Sequence, residues 1–226
     1  MLQDRPILAL IGGTGALGSG LAMRWAAAGY PVVLGSRSRE KAEAAALAIT
    51  PANGAPPVRG DDNVGAARAA DIVVITVPFS NHVAILEEIK DAVAGKIVLD
   101  TVVPLVPPKV SLVQLPPQGS AAQMAQQLLG ERARVVSAFH NVGAAKLRSG
   151  AAIDCDILVF GNERQARDTV IALVEAIGTR GIDAGPIANS VAAEALTSIL
   201  IGINRRYKVH DAGIRITGAL SGASDV

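Results

Sequence analysis

Short apolar runs alternate with helix-forming stretches along most of this chain. Residues 7–11 form an unbroken apolar run that ends at two glycines, as expected for a strand buried on both faces of a parallel sheet. Residues 17–28 follow with helix-forming residues and stop at Gly29. Because the order of strand and helix recurs, the pattern predicts an α/β fold: a Rossmann-type, doubly wound and mostly parallel sheet with a small C-terminal helical cap.

Further elements follow from the same pattern. Strands are predicted at residues 32–35, 71–77, 96–101, 135–138, 157–160 and 181–184, with a brief one near Val58. Helices are predicted at residues 39–49, 82–93, 121–129, 164–177 and 190–207, and an extended loop at 103–117. We expect residues 1–150 to form the Rossmann domain, residues 151–216 a small α/β extension with the cap, and the polar tail 217–226 to be disordered.

The composition limits what this fold can bind. Of the 226 residues, 50% are apolar and only 3% are aromatic, so Ala, Val, Ile and Leu must build the core and few rings are available to stack on a ligand. The 21 Lys and Arg residues nearly balance the 20 Asp and Glu residues, for a net charge of +1. Because this balance gives no basic field, we expect no nucleic-acid partner.

Cysteine usage and hydropathy bear on location. Cys155 is the single cysteine, so no internal disulfide can form, and with three scattered histidines no structural zinc site is expected. No stretch of about 18 purely apolar residues is present, and the first residues do not resemble a signal peptide. We therefore expect a cytoplasmic protein without a membrane partner.

The motif Gly13-Thr14-Gly15-Ala16-Leu17-Gly18 lies at the first turn. Because it opens from an apolar strand and closes into a helix, it fits a dinucleotide-binding turn, with Gly13 in the tight turn, Gly15 near the pyrophosphate and Gly18 packed on the sheet. The N–H groups at the start of the helix would bind the phosphates. A nucleoside-triphosphate loop does not fit, because Gly18 and Ser19 stand where that motif requires Gly-Lys-Ser or Gly-Lys-Thr.

The end of the second strand indicates which dinucleotide binds. An NAD site usually has Asp or Glu there for the ribose 2′-hydroxyl, whereas this chain has Ser36 and Arg37, with Lys41 shortly after them. A hydroxyl and a guanidinium bind a 2′-phosphate that a carboxylate would repel. The pattern therefore favours NADP over NAD. Arg39 has no clear partner and is interpreted as part of a solvated helix start.

The nicotinamide is expected at the carboxyl ends of the strands, where ligands bind in open α/β sheets. Residues 77–79, 102–105 and 140–145 follow the fourth, fifth and sixth strands and are predicted to wall it. Apolar walls suit hydride transfer, since they exclude water and hold two rings together. His140 lies beside this pocket and is a candidate for orienting the substrate, whereas His82 and His210 are interpreted as structural.

Several stretches, which together cover nearly the whole chain, match one known family in the same order. Besides the glycine motif and the Gly35-Ser36-Arg37 element with Lys41, the matching stretches are Thr76-Val-Pro-Phe79, Val103-Pro-Leu105, Val136-Ser-Ala-Phe-His-Asn-Val-Gly-Ala-Ala145, and Asp183-Ala-Gly-Pro186 leading to Asn189-Ser190. With them the chain resembles the NADPH-dependent reductases of the deazaflavin coenzyme F420, the F420:NADP oxidoreductases.

The resemblance implies an activity and a set of binding residues. The activity is hydride transfer between NADP(H) and coenzyme F420 by juxtaposition of the two rings, with no catalytic side chain and no metal. The implied pyrophosphate residues are Thr14, Gly15, Ala16 and Leu17, and those for the 2′-phosphate are Ser36, Arg37 and Lys41. The implied nicotinamide neighbours are Phe79, Val83, Leu105 and Ala144. The deazaflavin is implied near His140, Val142 and Ala212.

Two alternatives stay open. An NADP-dependent reductase of a small imine or carbonyl would usually need a Lys or similar acid in the cap helix, where Arg205, Arg206 and Lys208 are the cationic candidates. A non-catalytic NADP-sensing module would bind NADP without turnover. The chain also departs from the family, with Phe79 where Trp is usual and with Asn141 and Gly143 where Thr and Pro are expected. The apolar final helix is compatible with a homodimer.

Overall fold

Eight strands form one sheet in the computed structural model, which describes residues 5–218 and 220. The strands are β1 (Leu8–Ile11), β2 (Val32–Ser36), β3 (Arg59–Asp62), β4 (Ile72–Ile75), β5 (Ile97–Asp100), β6 (Arg134–Ser137), β7 (Asp156–Gly161) and β8 (Arg180–Asp183). Their order is β3-β2-β1-β4-β5-β6-β7-β8, and every neighbouring pair is parallel except β6 with β7. The predicted doubly wound, mostly parallel sheet is confirmed.

A helix lies between every two consecutive strands, and one more follows β8. They are α1 (Ala16–Ala27), α2 (Arg39–Leu47), α3 (Asn63–Ala69), α4 (His82–Ile89), α5 (Ala121–Leu129), α6 (Ala144–Arg148), α7 (Arg164–Glu175) and α8 (Ser190–Tyr207). Short 3₁₀ turns at Phe79–Asn81, Gly130–Arg132 and Ile187–Asn189 adjoin α4, α5 and α8. The predicted bounds of α5 and α8 match the structure, and the stretch 103–117 contains no helix or strand, as predicted.

The hydrophobic pattern missed two short helices. Helix α3 has seven residues, and α6 has five. At the start of α3 the Asp62 side chain accepts a hydrogen bond from the N–H of Gly65 at 2.7 Å. The brief strand predicted near Val58 begins one residue later, at Arg59. Helices this short depend on caps and tertiary contacts rather than on a periodic apolar face.

The core lies on both faces of the sheet, which explains why the strands are unbroken apolar runs. In β1, Leu8 and Leu10 join one buried cluster, whereas Ala9 and Ile11 join the other. Burying one such Leu or Ile side chain stabilises the fold by about 1.5–3 kcal/mol. Trp25 lies in the first cluster, where its indole N–H donates to the carbonyl of Leu173 at 2.9 Å.

The C-terminal part continues the same sheet. Strands β7 and β8 extend it beyond β6, and α8 contacts α5 and β7. The division into a Rossmann domain and an extension at residue 150 stays a prediction. Of the predicted disordered tail, residues 219 and 221–226 lie outside the described residues.

The segment Ile187–Tyr207, which contains α8, is a helix of the described chain that is long and apolar enough to cross a membrane. An 18-residue stretch of this segment has a mean hydropathy of 1.3, and 33% of that stretch is buried inside the protein. Two of its polar side chains bond to the rest of the fold. Glu194 accepts from the backbone of α5, and Thr197 donates to the carbonyl of His140. These contacts are those of a helix packed on its own domain.

Candidate functional site

The glycine turn after β1 has no room for side chains. Gly12 has a φ of +79°, so the left-handed backbone falls there rather than at Gly13, where the tight turn is predicted. A Cβ on Gly13 would lie 2.7 Å from the carbonyl oxygen of Leu10. A Cβ on Gly18 would lie 2.5 Å from Oγ1 of Thr76, the hydroxyl that donates to the carbonyl of Ile11. Gly18 therefore allows α1 to pack closely on the sheet.

The start of α1 is open to an anion. Gly15 occupies the N-cap position, and no side chain of the described chain caps the helix there. The first N–H groups of the helix therefore have no intrahelical acceptor and suit a phosphate. Ala16 is exposed and Leu17 is half-buried against the core in this first turn.

A cavity of about 690 Å³ extends from this turn to the end of β2. Five of the predicted site residues line it together: Thr14, Gly15, Ser36, Arg37 and Lys41. They come from the turn after β1, the end of β2 and the first turn of α2. These elements meet because β1 and β2 are adjacent parallel strands, whose carboxyl ends lie at one edge of the sheet.

Two arginines at the start of α2 differ in their surroundings. Arg37 is exposed and lines the cavity. Arg39 forms a salt bridge of 2.6 Å with Asp61 on β3 and lies 3.8 Å from Glu43. Arg39 thus has a partner that the sequence pattern did not identify. Ser38 caps α2, since its side chain accepts from the N–H of Lys41 at 3.3 Å.

Other lining residues were missed by sequence reasoning. Asn63 and Glu88 lie on α3 and α4, and both line the same cavity. Thr76 and Asn81 line it as well. The positions of Asn63, Asn81 and Glu88 depend on how the helices pack, and the sequence carries no motif that singles them out. Thr76 belongs to the Thr76-Val-Pro-Phe79 stretch and directly follows β4.

A second, smaller cavity of about 120 Å³ brings together His140, Val142 and Ala212. These are the three residues implied near the deazaflavin. The imidazole Nε2 of His140 lies 2.9 Å from Oγ of Ser137, and its carbonyl accepts from Thr197 at 2.8 Å. Burial lowers the pKa of His140 to about 4, so the ring is neutral near pH 7.

The four residues implied beside the nicotinamide line neither of these cavities in the described chain. Phe79 is half-buried and stacks on His82, with ring centroids 6.4 Å apart. Val83 is 46% exposed, and Leu105 and Ala144 are half-buried. Their role at the nicotinamide stays a prediction.

Two sets of buried polar groups hold the helices on this side of the sheet. Nε2 of His82 and Oδ2 of Asp100 are 2.7 Å apart, and both side chains are fully buried. Glu194 of α8 accepts hydrogen bonds from the N–H groups of Ala121 at 2.6 Å and Ala122 at 3.1 Å, at the start of α5. Burial raises the pKa of Glu194 to about 8. The first set joins α4 to β5, and the second joins α8 to α5.

The fold and the cavity between the glycine turn and the end of β2 define a Rossmann-type enzyme that uses a dinucleotide. Residues 7–104 match the family described as NADP oxidoreductase coenzyme F420-dependent. The chain is 40% identical over 219 residues to the F420-dependent NADP reductase of Methanocaldococcus jannaschii, covering 93% of this chain and 97% of the relative. The enzyme of the same name from Methanothermobacter thermautotrophicus is 41% identical over 219 residues, covering 93% and 94%.

A solved structure agrees with these relatives. The putative F420-dependent NADP reductase from Arthrobacter sp. FB24 is 26% identical, with a TM-score of 0.76 and coverage of 94% of this chain and 99% of that one. The protein belongs to the family of F420-dependent NADP reductases. The resemblance stated from the motifs is thereby confirmed.

Proposed function

We propose that this protein transfers hydride between NADP(H) and the deazaflavin coenzyme F420. The observation that carries the proposal is that the glycine turn lines one cavity with Ser36, Arg37 and Lys41. Relatives about 40% identical over nearly the whole chain have the name of this activity. The site thus provides for both the pyrophosphate and the 2′-phosphate of NADP.

The residues present fit the dinucleotide. The turn has no Cβ at Gly12, Gly13 or Gly15, so a pyrophosphate can approach the backbone and the open end of α1. Arg37 and Lys41 supply two positive charges and Ser36 a hydroxyl, which suits a 2′-phosphate. No carboxylate occupies the position after β2 where an NAD site needs one.

The protein's part in the reaction is to bind and orient. When bound, the nicotinamide of NADP(H) gives or takes the hydride at its C4, and the deazaflavin takes or gives it at C5. We assign no side chain as acid or base. Val142 and Ala212 exclude water from the deazaflavin side, and the neutral His140 orients it. Phe79, Val83, Leu105 and Ala144 cover the nicotinamide. Holding two reactants in the correct orientation supplies much of the rate enhancement in such reactions.

The proposal includes a homodimer in the cytoplasm, without a nucleic-acid partner. Leu112 and Val113 of the loop at residues 103–117 and Ile199 of α8 have exposed apolar side chains. The loop contacts the helix, because a Cβ on Gly202 would lie 3.8 Å from Cβ of Ser111. Exposed apolar side chains on two elements that contact each other suit an interface with a second copy. Light scattering should give twice the chain mass, and an Ile199→Glu variant should give the monomer.

The turnover test mixes purified protein, NADPH and oxidised F420, and follows the visible absorption band of the deazaflavin. We expect the band to bleach in proportion to the enzyme concentration. Reduction of small imines or carbonyls with no bleaching of F420 would favour the first alternative. NADPH binding without turnover on any acceptor would favour a sensing module.

A further inference from the structure

One end of the cofactor cavity is lined by groups that accept hydrogen bonds. The Asn63 side chain is 1% exposed, and its Oδ1 is buried without a hydrogen-bond partner among the described residues. Its Nδ2 lies 3.4 Å from Oε1 of Glu88, which lines the same cavity. Buried polar atoms are nearly always paired in folded proteins. An unpaired acceptor in a cavity wall therefore indicates a ligand that brings a donor.

The orientation of the Asn63 amide follows from its neighbour. A carboxylate only accepts hydrogen bonds, so the amide must present Nδ2 to Glu88 and leave Oδ1 free. Gly35 at the end of β2 lies next to Oδ1. A Cβ on Gly35 would lie 3.3 Å from Asn63 Oδ1 and 2.9 Å from Cδ1 of Ile11. Asn63 and Glu88 thus bring an unpaired amide oxygen and a carboxylate to the same wall of the cavity.

The covalent structure of NADP indicates which group they meet. The adenosine ribose is bonded to both the pyrophosphate, at the glycine turn, and the 2′-phosphate, at Arg37 and Lys41. The base is attached to the carbon next to the 2′-phosphate, so it lies beside that subsite. Ala84, Ile85 and Glu88 of α4 line the cavity opposite the end of β2. Two small or apolar side chains there suit the face of a flat base, and Glu88 suits its edge.

We propose that Asn63 and Glu88 recognise the exocyclic amino group of adenine. This amino group has two N–H donors, which match the two acceptors. Hypoxanthine and guanine have a carbonyl oxygen at that position, which would leave the acceptors unpaired and facing a third acceptor. A site built to bind a donor rejects an analogue that lacks it, because the buried Asn63 oxygen is then unsatisfied and the Glu88 carboxylate faces another acceptor. The inference rests on the proposed NADP site and adds the selection of the base.

The test compares NADPH with deamino-NADPH, in which hypoxanthine replaces adenine, by titrating nicotinamide fluorescence in the absence of F420. For the wild type we expect deamino-NADPH to bind at least about tenfold more weakly. Glu88→Gln can donate to the hypoxanthine oxygen, so the ratio of the two dissociation constants should fall close to one. The matched control is Glu87→Gln, the preceding residue, which is exposed and lies 3.6 Å from Lys90. It should keep the wild-type ratio.

Two results would overturn the assignment. One is a wild type that binds both dinucleotides equally. The other is a Glu88→Gln variant that loses affinity for both by the same factor, as expected if the carboxylate meets a ribose hydroxyl instead. Because Glu88 is exposed, this variant should fold, and its unfolding midpoint in urea checks that point. Base selection with no reduction of F420 would count against the proposed acceptor alone.

Discussion

His82 and Asp100 form a hydrogen bond of 2.7 Å between two fully buried side chains. The pair joins the start of α4 to the end of β5, so it holds the helix whose other face lines the cofactor cavity. Burial by itself would lower the pKa of His82, but the charge of Asp100 and the hydrogen bond to it raise the pKa overall. The protonated imidazole is therefore favoured beside the carboxylate.

Removing one member of this pair should lower the free energy of unfolding. We expect His82→Leu to lower the free energy of unfolding by about 3 kcal/mol, because it leaves the Asp100 carboxylate buried without its partner. Urea unfolding measures this. The double variant His82→Leu/Asp100→Asn removes the charge as well and keeps an acceptor for the N–H of Val102. It should be more stable than the single variant. Equal stability of the two variants would contradict an ion pair at this position.

The pH dependence of this pair follows from its raised pKa. Below the ordinary value of 6.5 the histidine is protonated in both the folded and the unfolded chain, and the stabilisation is fully present. It is lost as the pH rises through the higher pKa of the folded state. The difference in unfolding free energy between the wild type and His82→Leu should therefore shrink above pH 6.5.

Alanine substitutions at two glycines of the first turn should affect different properties, one the stability of the fold and the other the binding of NADPH. A Cβ on Gly15 would lie 3.2 Å from the carbonyl oxygen of Gly12, whereas one on Gly18 would lie 2.5 Å from Oγ1 of Thr76 and 2.8 Å from Cα of Gly13. We expect Gly18→Ala to cost about 1–3 kcal/mol of stability through overpacking. Gly15→Ala should keep most of the stability and bind NADPH at least about tenfold more weakly, since its methyl group blocks the pyrophosphate. Urea unfolding and fluorescence titration measure the two effects, and the reverse order would refute these roles.

Arg37 and Arg39 form a matched pair for the test of cofactor choice. Arg37→Ala should weaken NADPH binding by about 10- to 100-fold, because a charge-assisted contact to the 2′-phosphate is lost. Its NADH affinity should stay nearly constant. Arg39→Ala removes a residue that is bonded to Asp61 and should leave NADPH affinity unchanged. A loss of affinity in both variants would point to a general effect of charge rather than to a phosphate contact.

His140 should destabilise the fold in acid. Its pKa is lowered from 6.5 to about 4 by burial, so the unfolded chain takes up a proton before the folded one does. The contribution of His140 to the free energy of unfolding is fully present above pH 6.5 and is lost as the pH falls toward 4. We expect this loss to be about 3 kcal/mol over the range. His140→Gln cannot titrate, and its stability should change less between these pH values. Parallel pH profiles of the two proteins would contradict a buried neutral ring.

Much of the fold could be predicted because a parallel sheet buried on both faces requires unbroken apolar strands. The runs at residues 7–11 and 71–77 show this pattern directly. Helix α3 was missed because its seven residues include Gly65 and have no clear apolar face. The cap from Asp62 and its packing on β1 and β2 stabilise it. Such contacts are tertiary and leave no local pattern.

The site was predictable where one local segment defines the chemistry. The glycine turn and the Ser36-Arg37 element are of this kind. Asn63 and Glu88 are 25 residues apart and meet only after α3 and α4 pack together. His82 was interpreted as structural, and it is buried in a pair with Asp100. That partner could not be predicted, because a single histidine at a helix start gives no sign of an aspartate facing it from another strand.

Under the proposed function, hydride passes directly between two rings that are held together with water excluded. The measurement that tests it follows deuterium from NADPH, labelled at both C4 positions of the nicotinamide, to F420 in ordinary water. Mass spectrometry of the reduced deazaflavin gives the result. We predict one deuterium at C5 for each F420 reduced. Reduced F420 without deuterium, or no reduction of F420 at all, would contradict direct transfer between the two rings.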